Sequence, residues 1–360
     1  MSLVAVLGFM AIIATYWGVS RFRAWAEKRQ IIDLPNERSS HTKPTPRGGG
    51  LIIVGVTLFF GAILAAALVS DSIWHVYLPF AAGAILIAAV SWLDDLRSLP
   101  NTMRFAAHLS GAVIANVGLR YWRTLALPFF GTITLGWWGA LITALWIVGL
   151  TNAYNFMDGT DGIAGGQEVI GGLGWAFLGW QAGQPLVSGL GFVVACSSMG
   201  FLVHNWPPAR IFMGDVGSAF LGYTLAVLPV MFGFYGKESP GAPVVGLMLV
   251  WPFVFDTTFT FIRRLFRREN VFAAHRSHLY QRISTAHSGH ARVALLYSGL
   301  ALVGVLLAQV WSARVLNGEV TCLLALPVLF LGLWMFVVIQ ERRQRDGTRS
   351  GLTACEQTQK

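Results

Sequence analysis

Eleven stretches of predominantly apolar residues, nearly free of charge, divide this chain, and no other feature limits its fold as strongly. They run approximately from Leu3 to Val19, Gly49 to Val69, Val76 to Leu93, Phe105 to Leu119, Leu135 to Leu150, Ile163 to Trp180, Leu186 to Val203, Gly217 to Phe234, Val244 to Phe261, Val293 to Trp311 and Leu323 to Ile339. A hydrocarbon core about 30 Å thick is crossed by about 20 helical residues. Within it a backbone must satisfy its own hydrogen bonds, which a helix does within one segment. The pattern therefore predicts an all-α, polytopic membrane protein of about 11 transmembrane helices. With 55% hydrophobic and 12% charged residues, against about a quarter charged in soluble domains, a water-soluble globular fold is excluded.

Orientation follows from the cations. Of 26 Lys and Arg, 22 fall in the odd-numbered loops and the C-terminal tail, and 4 in the even-numbered loops. The positive-inside rule places the odd loops and the tail in the cytoplasm and the N-terminus outside. The first stretch lacks a basic n-region and a cleavage site and is followed by basic residues, so it reads as a retained helix. A net charge of +9 is then that of loops anchored on anionic membrane lipid, and nucleic acid is not an expected partner. Cys196, Cys322 and Cys355 show no metal-ligand spacing and imply no disulfide framework. Residues 1–340 read as a single transmembrane domain, and 341–360 as a polar, disordered cytoplasmic tail.

Chemistry must then reside in the loops and helix ends. Acidic residues number only 17, and an Asp at mid-membrane is costly, so their positions are informative. Asp94, Asp95, Asp158, Asp161 and Asp215 all fall at cytoplasmic ends of expected spans, which predicts their convergence on one site. The third cytoplasmic loop holds Asn152, Asn155, Asp158 and Asp161 without a single cation, a surface suited to a metal or a polar ligand. Asp158 and Asp161 share a face if helical, whereas Gly159 and Gly162 favour an irregular loop. In His204-Asn205-Trp-Pro-Pro-Ala-Arg-Ile-Phe212-Met-Gly-Asp215, the last carboxylate stands between glycines at a helix start. It suits an N-cap or a ligand to Mg²⁺, which takes one or two carboxylates and completes its shell with water and phosphate.

Neighbours on a helix point about 100° apart, so Asp94 and Asp95 cannot both face one atom. The run from Lys43 through Arg47 to Gly48-Gly49-Gly50 enters a helix. It suits phosphate binding through backbone amides with cations beside them, or close packing of the triplet. His275 and His278 have the spacing of zinc ligands but lack Cys partners or a catalytic HExxH run; one of them suits donation to a diphosphate or proton transfer. Asp256 is expected to pair with Arg263 or Arg264, and Glu168 and His108 to make interhelical hydrogen bonds.

At these motifs the sequence resembles the polyprenyl-phosphate N-acetylhexosamine-1-phosphate transferase superfamily, the MraY/WecA type of glycosyltransferase family 4. The resemblance rests on PTPRGGG at Pro44 to Gly50, Asp94-Asp95, NAYNFMDGTDG from Asn152, HNWPPARIFMGDVGS from His204 and HRSHLYQR from His275. It implies that Asp215 binds Mg²⁺, with Mn²⁺ as the alternative. Asp94 and Asp95 would then act on the lipid phosphate, and Asp158, Asp161 and Asn205 would help hold the metal-bound nucleotide. His278 matches the first histidine of the C-terminal motif, and is counted with Asp94 and Asp95 as catalytic. Tyr280 and Gln281 stand where many relatives carry two further histidines. Lys43, Arg47, Asn152, Asn155 and Phe212 complete the expected substrate-binding set.

The loops at Lys43 and His278 are closer to WbpL-like members that start O-antigen than to the peptidoglycan enzyme. The implied reaction joins N-acetylhexosamine 1-phosphate from a UDP-sugar to undecaprenyl phosphate at the cytoplasmic face of a bacterial inner membrane. A homodimer is compatible with this reading. The competing readings are a peptidoglycan-type transferase and a secondary transporter, whose ion sites lie near the bilayer midplane and not at helix ends.

Overall fold

The computed structural model describes residues 2–35, 43–68, 70–127, 130–234, 239–270, 276–284, 289–313, 320, 324–340 and 342. The polar tail beyond Arg342, and His275, lie outside the described residues. The chain is an all-α membrane protein. Its helices are α1 (Ser2–Lys28), α2 (Gly50–Ala67), α3 (Asp71–Arg97), α4 (Asn101–Leu119), α5 (Trp138–Met157), α6 (Ile163–Gln181), α7 (Pro185–Asn205), α8 (Asp215–Phe234), α9 (Ala242–Phe266), the short α10 (Leu279–Ile283) and α11 (Gly289–Ser312). A last helix, α12 (Leu324–Gln340), packs Phe330 and Trp334 against Phe259 of α9.

Every expected span is occupied by one of these helices, α10 being additional. Eight of them, α1, α2, α3, α5, α7, α8, α9 and α11, are long and apolar enough to cross a bilayer. Part of the polarity of α4 and α6 has a local cause: Asn116, Gln167 and Glu168 face other helices. Asn116 donates to the Ala140 carbonyl at 2.9 Å and Gln167 to that of Leu249 at 2.8 Å. Glu168 accepts from the Tyr154 hydroxyl at 3.1 Å, the interhelical bond expected of it.

Burial sorts the bundle from centre to rim. The apolar window of α8 is 89% buried and that of α7 72%, whereas α1 is 28% buried and turns Phe9 and Trp17 outward. The core is thus built around α8. Helix α9 contains Pro252, which has no N–H to give the Met248 carbonyl. Gly304 of α11 packs against that same carbonyl, and the Trp251 indole donates across to Leu300 at 2.9 Å.

Two small antiparallel pairs cap opposite ends. Strand β1 (Ile32–Asp33) pairs with β2 (Thr45–Pro46) ahead of α2. Strands β3 (Thr124–Leu127) and β4 (Gly131–Thr134) form a hairpin between α4 and α5, tied to the α8–α9 connection by the Ala126 amide on the Pro240 carbonyl at 2.8 Å. Several helices overrun the expected spans at the β1–β2 end: α1 reaches Lys28, α3 Arg97 and α9 Phe266. Asp94 and Asp95 therefore sit inside the last turns of α3.

Candidate active site

Asp94 and Asp95 are oriented by where α3 stops. Ser98 takes a left-handed conformation, φ 51°, and its amide returns to the Asp94 carbonyl at 2.8 Å. Leu99 then leads into α4, and its amide donates to the Asp94 carboxylate. The Asp95 carboxylate turns the other way, onto the start of α8. One oxygen accepts the Asp215 amide at 3.0 Å and the other the Val216 amide at 3.1 Å. The first amides of a helix have no partner within it, and negative charge is favoured at that end. Asp95 thus caps α8 from another helix. Gly214 makes the approach possible: it has φ +76°, and a Cβ there would lie 2.6 Å from the Asp95 carboxylate.

The PTPRGGG run closes the same junction. Arg47 donates to the Asp95 main-chain carbonyl. The Phe212 amide reaches the Pro46 carbonyl at 2.8 Å, and the Gly49 and Gly50 amides reach Phe212 and Met213 at 3.0 and 2.9 Å. A Cβ on Gly50 would overlap the backbone of Gly217. The triplet is a backbone-to-backbone contact between α2 and α8. The amides of Gly49 and Gly50 are already used, so the phosphate-binding alternative does not hold for those two groups. Lys43 is exposed just ahead of β2.

Sequence reasoning missed Arg104. From the first turn of α4 its guanidinium donates to Asp94 at 3.1 Å and to Asp215 at 3.3 Å, joining two carboxylates 121 positions apart in sequence. Its signal was present, a cation ten residues after Asp94, but it was counted among the lipid-anchoring charges. One turn along α4, His108 lies against Asn152 and Arg104. It therefore belongs beside the cluster, where the sequence reading had not placed it.

Helix α5 brings Asn152 and Asn155 to the same end and stops at Met157, so Asp158 to Gly162 form the irregular loop. Asn152 donates to the Val148 carbonyl at 2.7 Å. Asn205 accepts the Gly162 amide at 2.9 Å and donates to the Ile211 carbonyl at 3.0 Å, binding this loop to the segment before α8. Asp161 does the same through the Ala209 amide at 3.0 Å, and pairs with His290 of α11 at 3.2 Å. Asp158 faces the other carboxylates: burial, then the charges of Asp215, Asp95 and Asp161, push its pKa well above the ordinary carboxylate range, making it a weaker acid.

Beneath this loop lies α10. The Tyr280 hydroxyl donates to the Phe156 carbonyl at 3.0 Å and occupies the space a Cβ on Gly159 would need. Gln281 accepts the His278 amide at 3.3 Å as part of a capping box. The two residues that replace the relatives' histidines therefore build the turn that carries His278. The expected pairing of Asp256 with Arg263 or Arg264 does not form as a direct contact. Arg264 reaches Glu269 and Asn270, and Arg263 reaches the Ser277 carbonyl. Asp256 instead faces His278, with its Nδ1 at 3.3 Å. Seven or eight residues along a helix is two turns, beyond easy side-chain reach, whereas α10 folds back onto α9.

Five motif segments separated in sequence thus meet at one end of the bundle. Among the described residues, no three His, Cys, Asp or Glu side chains form a ready metal cage. The profile of Glycosyl transferase family 4 matches residues 77–233, which include the Asp pair, the Asn152 loop and Asp215. A probable undecaprenyl-phosphate N-acetylglucosaminyl 1-phosphate transferase of Bacillus subtilis is 34% identical, over 88% of this chain and 85% of the relative. A decaprenyl-phosphate N-acetylglucosaminephosphotransferase of Mycobacterium leprae is 32% identical over 81% of this chain and 79% of its own length. A phospho-N-acetylmuramoyl-pentapeptide-transferase of Lactiplantibacillus plantarum is 30% identical over 63% and 74%. A match of this extent across nearly the whole chain, falling on the segments that build the carboxylate cluster, places the chain in the polyprenyl-phosphate N-acetylhexosamine-1-phosphate transferase superfamily.

Proposed function

We propose that this enzyme transfers N-acetylhexosamine 1-phosphate from a UDP-sugar to undecaprenyl phosphate, releasing UMP and starting O-antigen or a related surface glycan. The observation that carries the reading is Arg104 held between Asp94 and Asp215, with Asp95 capping the helix on which Asp215 stands. The names of the Bacillus and mycobacterial relatives make N-acetylglucosamine the first sugar to test. Orientation is supported by the charge map, since the cluster lies at the end of the bundle whose loops carry most cations. The site then faces the cytoplasm of a bacterial inner membrane.

Mg²⁺, or Mn²⁺ in its place, suits the residues. Asp215 and Asp94 offer hard oxygen donors that already share a cation in Arg104, and one or two carboxylates are what Mg²⁺ takes from protein. Bound there, the ion would draw charge from the diphosphate and from departing UMP. Both carboxylates of the pair face Asp215, but the oxygens of Asp95 are taken up by the amides of α8, whereas Asp94 shares Arg104 with the Asp215 carboxylate, so the chemistry falls to Asp94. It takes a proton from the lipid phosphate, whose oxygen attacks the β-phosphorus as the bond to UMP breaks. Alternatively its carboxylate attacks the β-phosphorus first, expelling UMP and forming an aspartyl phospho-sugar, and the lipid phosphate then displaces the carboxylate. Arg104 offers paired N–H donors to phosphate oxygens. His278 donates to the diphosphate, while Asn155, Asp158 and Phe212 border the nucleotide and Lys43 and Arg47 the lipid phosphate.

The test uses purified protein with undecaprenyl phosphate, Mg²⁺ and a panel of UDP-N-acetylglucosamine, UDP-N-acetylgalactosamine, their 6-deoxy counterparts and UDP-N-acetylmuramoyl-pentapeptide, measuring UMP and the lipid product. Asp215→Ala is the inactive control. Turnover only with UDP-N-acetylmuramoyl-pentapeptide would move the protein to the peptidoglycan reaction, and no UMP from any donor would defeat the proposal.

A further inference from the structure

Asp256 is fully buried in α9, in a part of the chain that crosses the membrane, where an ionised carboxylate survives only if its charge is met by donors. Five groups from three elements meet it. One oxygen accepts the Leu279 amide at 2.9 Å and the Thr260 hydroxyl at 3.3 Å, and faces His278 Nδ1 at 3.3 Å. The other accepts the Tyr280 amide at 3.1 Å and the Tyr297 hydroxyl of α11 at 2.6 Å. An ionised carboxylate has room for about four acceptor contacts and offers no hydrogen of its own. With donors on every side it can only receive, so Nδ1 of His278 is the nitrogen that carries hydrogen toward it.

We propose that Asp256 is a positioning residue of the transferase site. It ties the turn bearing His278 to α9 and α11 and gives the imidazole one tautomer and one ring orientation. Fixing Nδ1 fixes where Nε2 stands, as a carboxylate does for histidines in metal and hydrolase sites. The same turn is held against the Asn152 loop by Tyr280 on the Phe156 carbonyl, so the orientation is set relative to the carboxylate cluster. A carboxylate that merely glued α9 to α11 would not need the two amides of α10 and the imidazole together. The proposal rests on His278 acting in the reaction proposed above.

A double-mutant cycle on the purified full chain tests it, with UMP release as the rate. Asp256→Asn is expected to lower kcat about 100-fold, the scale of misplacing a group by about 1 Å, with KM for the UDP-sugar within about 3-fold. In a His278→Gln background the same change should have less than about a 3-fold effect, because the residue it positions is gone. Tyr297→Phe, which leaves the carboxylate in place, should behave likewise with a smaller loss, and it decides the question if Asp256→Asn does not fold. Losses that multiply in the double variants would overturn the proposal. So would ¹⁵N-histidine spectra in which the His278 signal, assigned by its absence in His278→Gln, keeps one tautomer after Asp256→Asn or, in that variant's absence, gains no single tautomer in wild type. Those spectra need no turnover: a wild-type protein inactive with every donor would sink the proposed reaction and still leave the tautomer of His278 to judge Asp256.

Discussion

Replacing Asp95 by asparagine separates two roles that a loss of activity alone would confuse. Its carboxylate receives the Asp215 and Val216 amides at 3.0 and 3.1 Å. Asparagine keeps one accepting oxygen but turns an NH₂ group toward the second amide. The variant therefore gives up one hydrogen bond to a charged group, about 1.5–3 kcal/mol, and the attraction of that charge to the helix start, about 0.3–1 kcal/mol. Together this is about 2–4 kcal/mol against the ordered first turn of α8, where Asp215 stands. If Mg²⁺ binds only when that turn is formed, its apparent affinity falls by the fraction of time the turn is intact, tens to hundreds of fold at about 1.4 kcal/mol per decade. The assay is UMP release against Mg²⁺ concentration, paired with calorimetric Mg²⁺ titration. Raised metal requirement with turnover partly restored at high Mg²⁺ is the expected result. Abolished turnover with unchanged Mg²⁺ binding would refute the reasoning and return Asp95 to direct contact with the reacting phosphate.

Arg104→Gln removes the cation shared by Asp94 and Asp215. It should lower kcat about 10- to 100-fold by taking away a donor to phosphate, while half-saturation by Mg²⁺ moves to lower concentration; a higher Mg²⁺ requirement would contradict that picture. Asp158 supplies a pH prediction. A carboxyl raised in the folded state holds its proton longer than in the unfolded chain, so stability falls as pH climbs from the ordinary carboxylate value toward the raised one. Thermal unfolding in EDTA should therefore decline across that window, and Mg²⁺ should flatten the decline; a metal-free profile that rises through it would be the wrong sign.

The helices were legible because the bilayer imposes a length and an apolarity that few other folds share, so α1 to α9, α11 and α12 stand where the apolar runs predicted them. Convergence of Asp94, Asp158 and Asp215 was legible for a related reason: in a chain with few charges, polar residues gathered at helix ends signal chemistry. Pairings across the bundle were not. Arg104 is one more cytoplasmic cation until α4 folds beside α3 and α8. Asp256 has Arg263 and Arg264 nearby in sequence, yet apart from Thr260 on its own helix its partners come from 22 to 41 residues downstream, through a turn no local pattern announces. The Gly48 to Gly50 run carried two readings, close packing ahead of phosphate binding, and the carbonyls of Phe212 and Met213 remove the Gly49 and Gly50 amides from the second.

Setting Asp215 at the tip of α8 has a mechanical result. The most enclosed rod of the bundle is pinned at that tip by Asp95 and wedged along its side by Gly50, so a ligand held there meets an anvil and not a hinge. Adjustment to an arriving headgroup must then come from the lighter pieces around it, above all the five-residue α10 and the Asp158 to Gly162 loop. On the proposed reaction, enzymes built this way would tolerate varied sugars by reshaping those pieces while the Asp215 tip stays where it is.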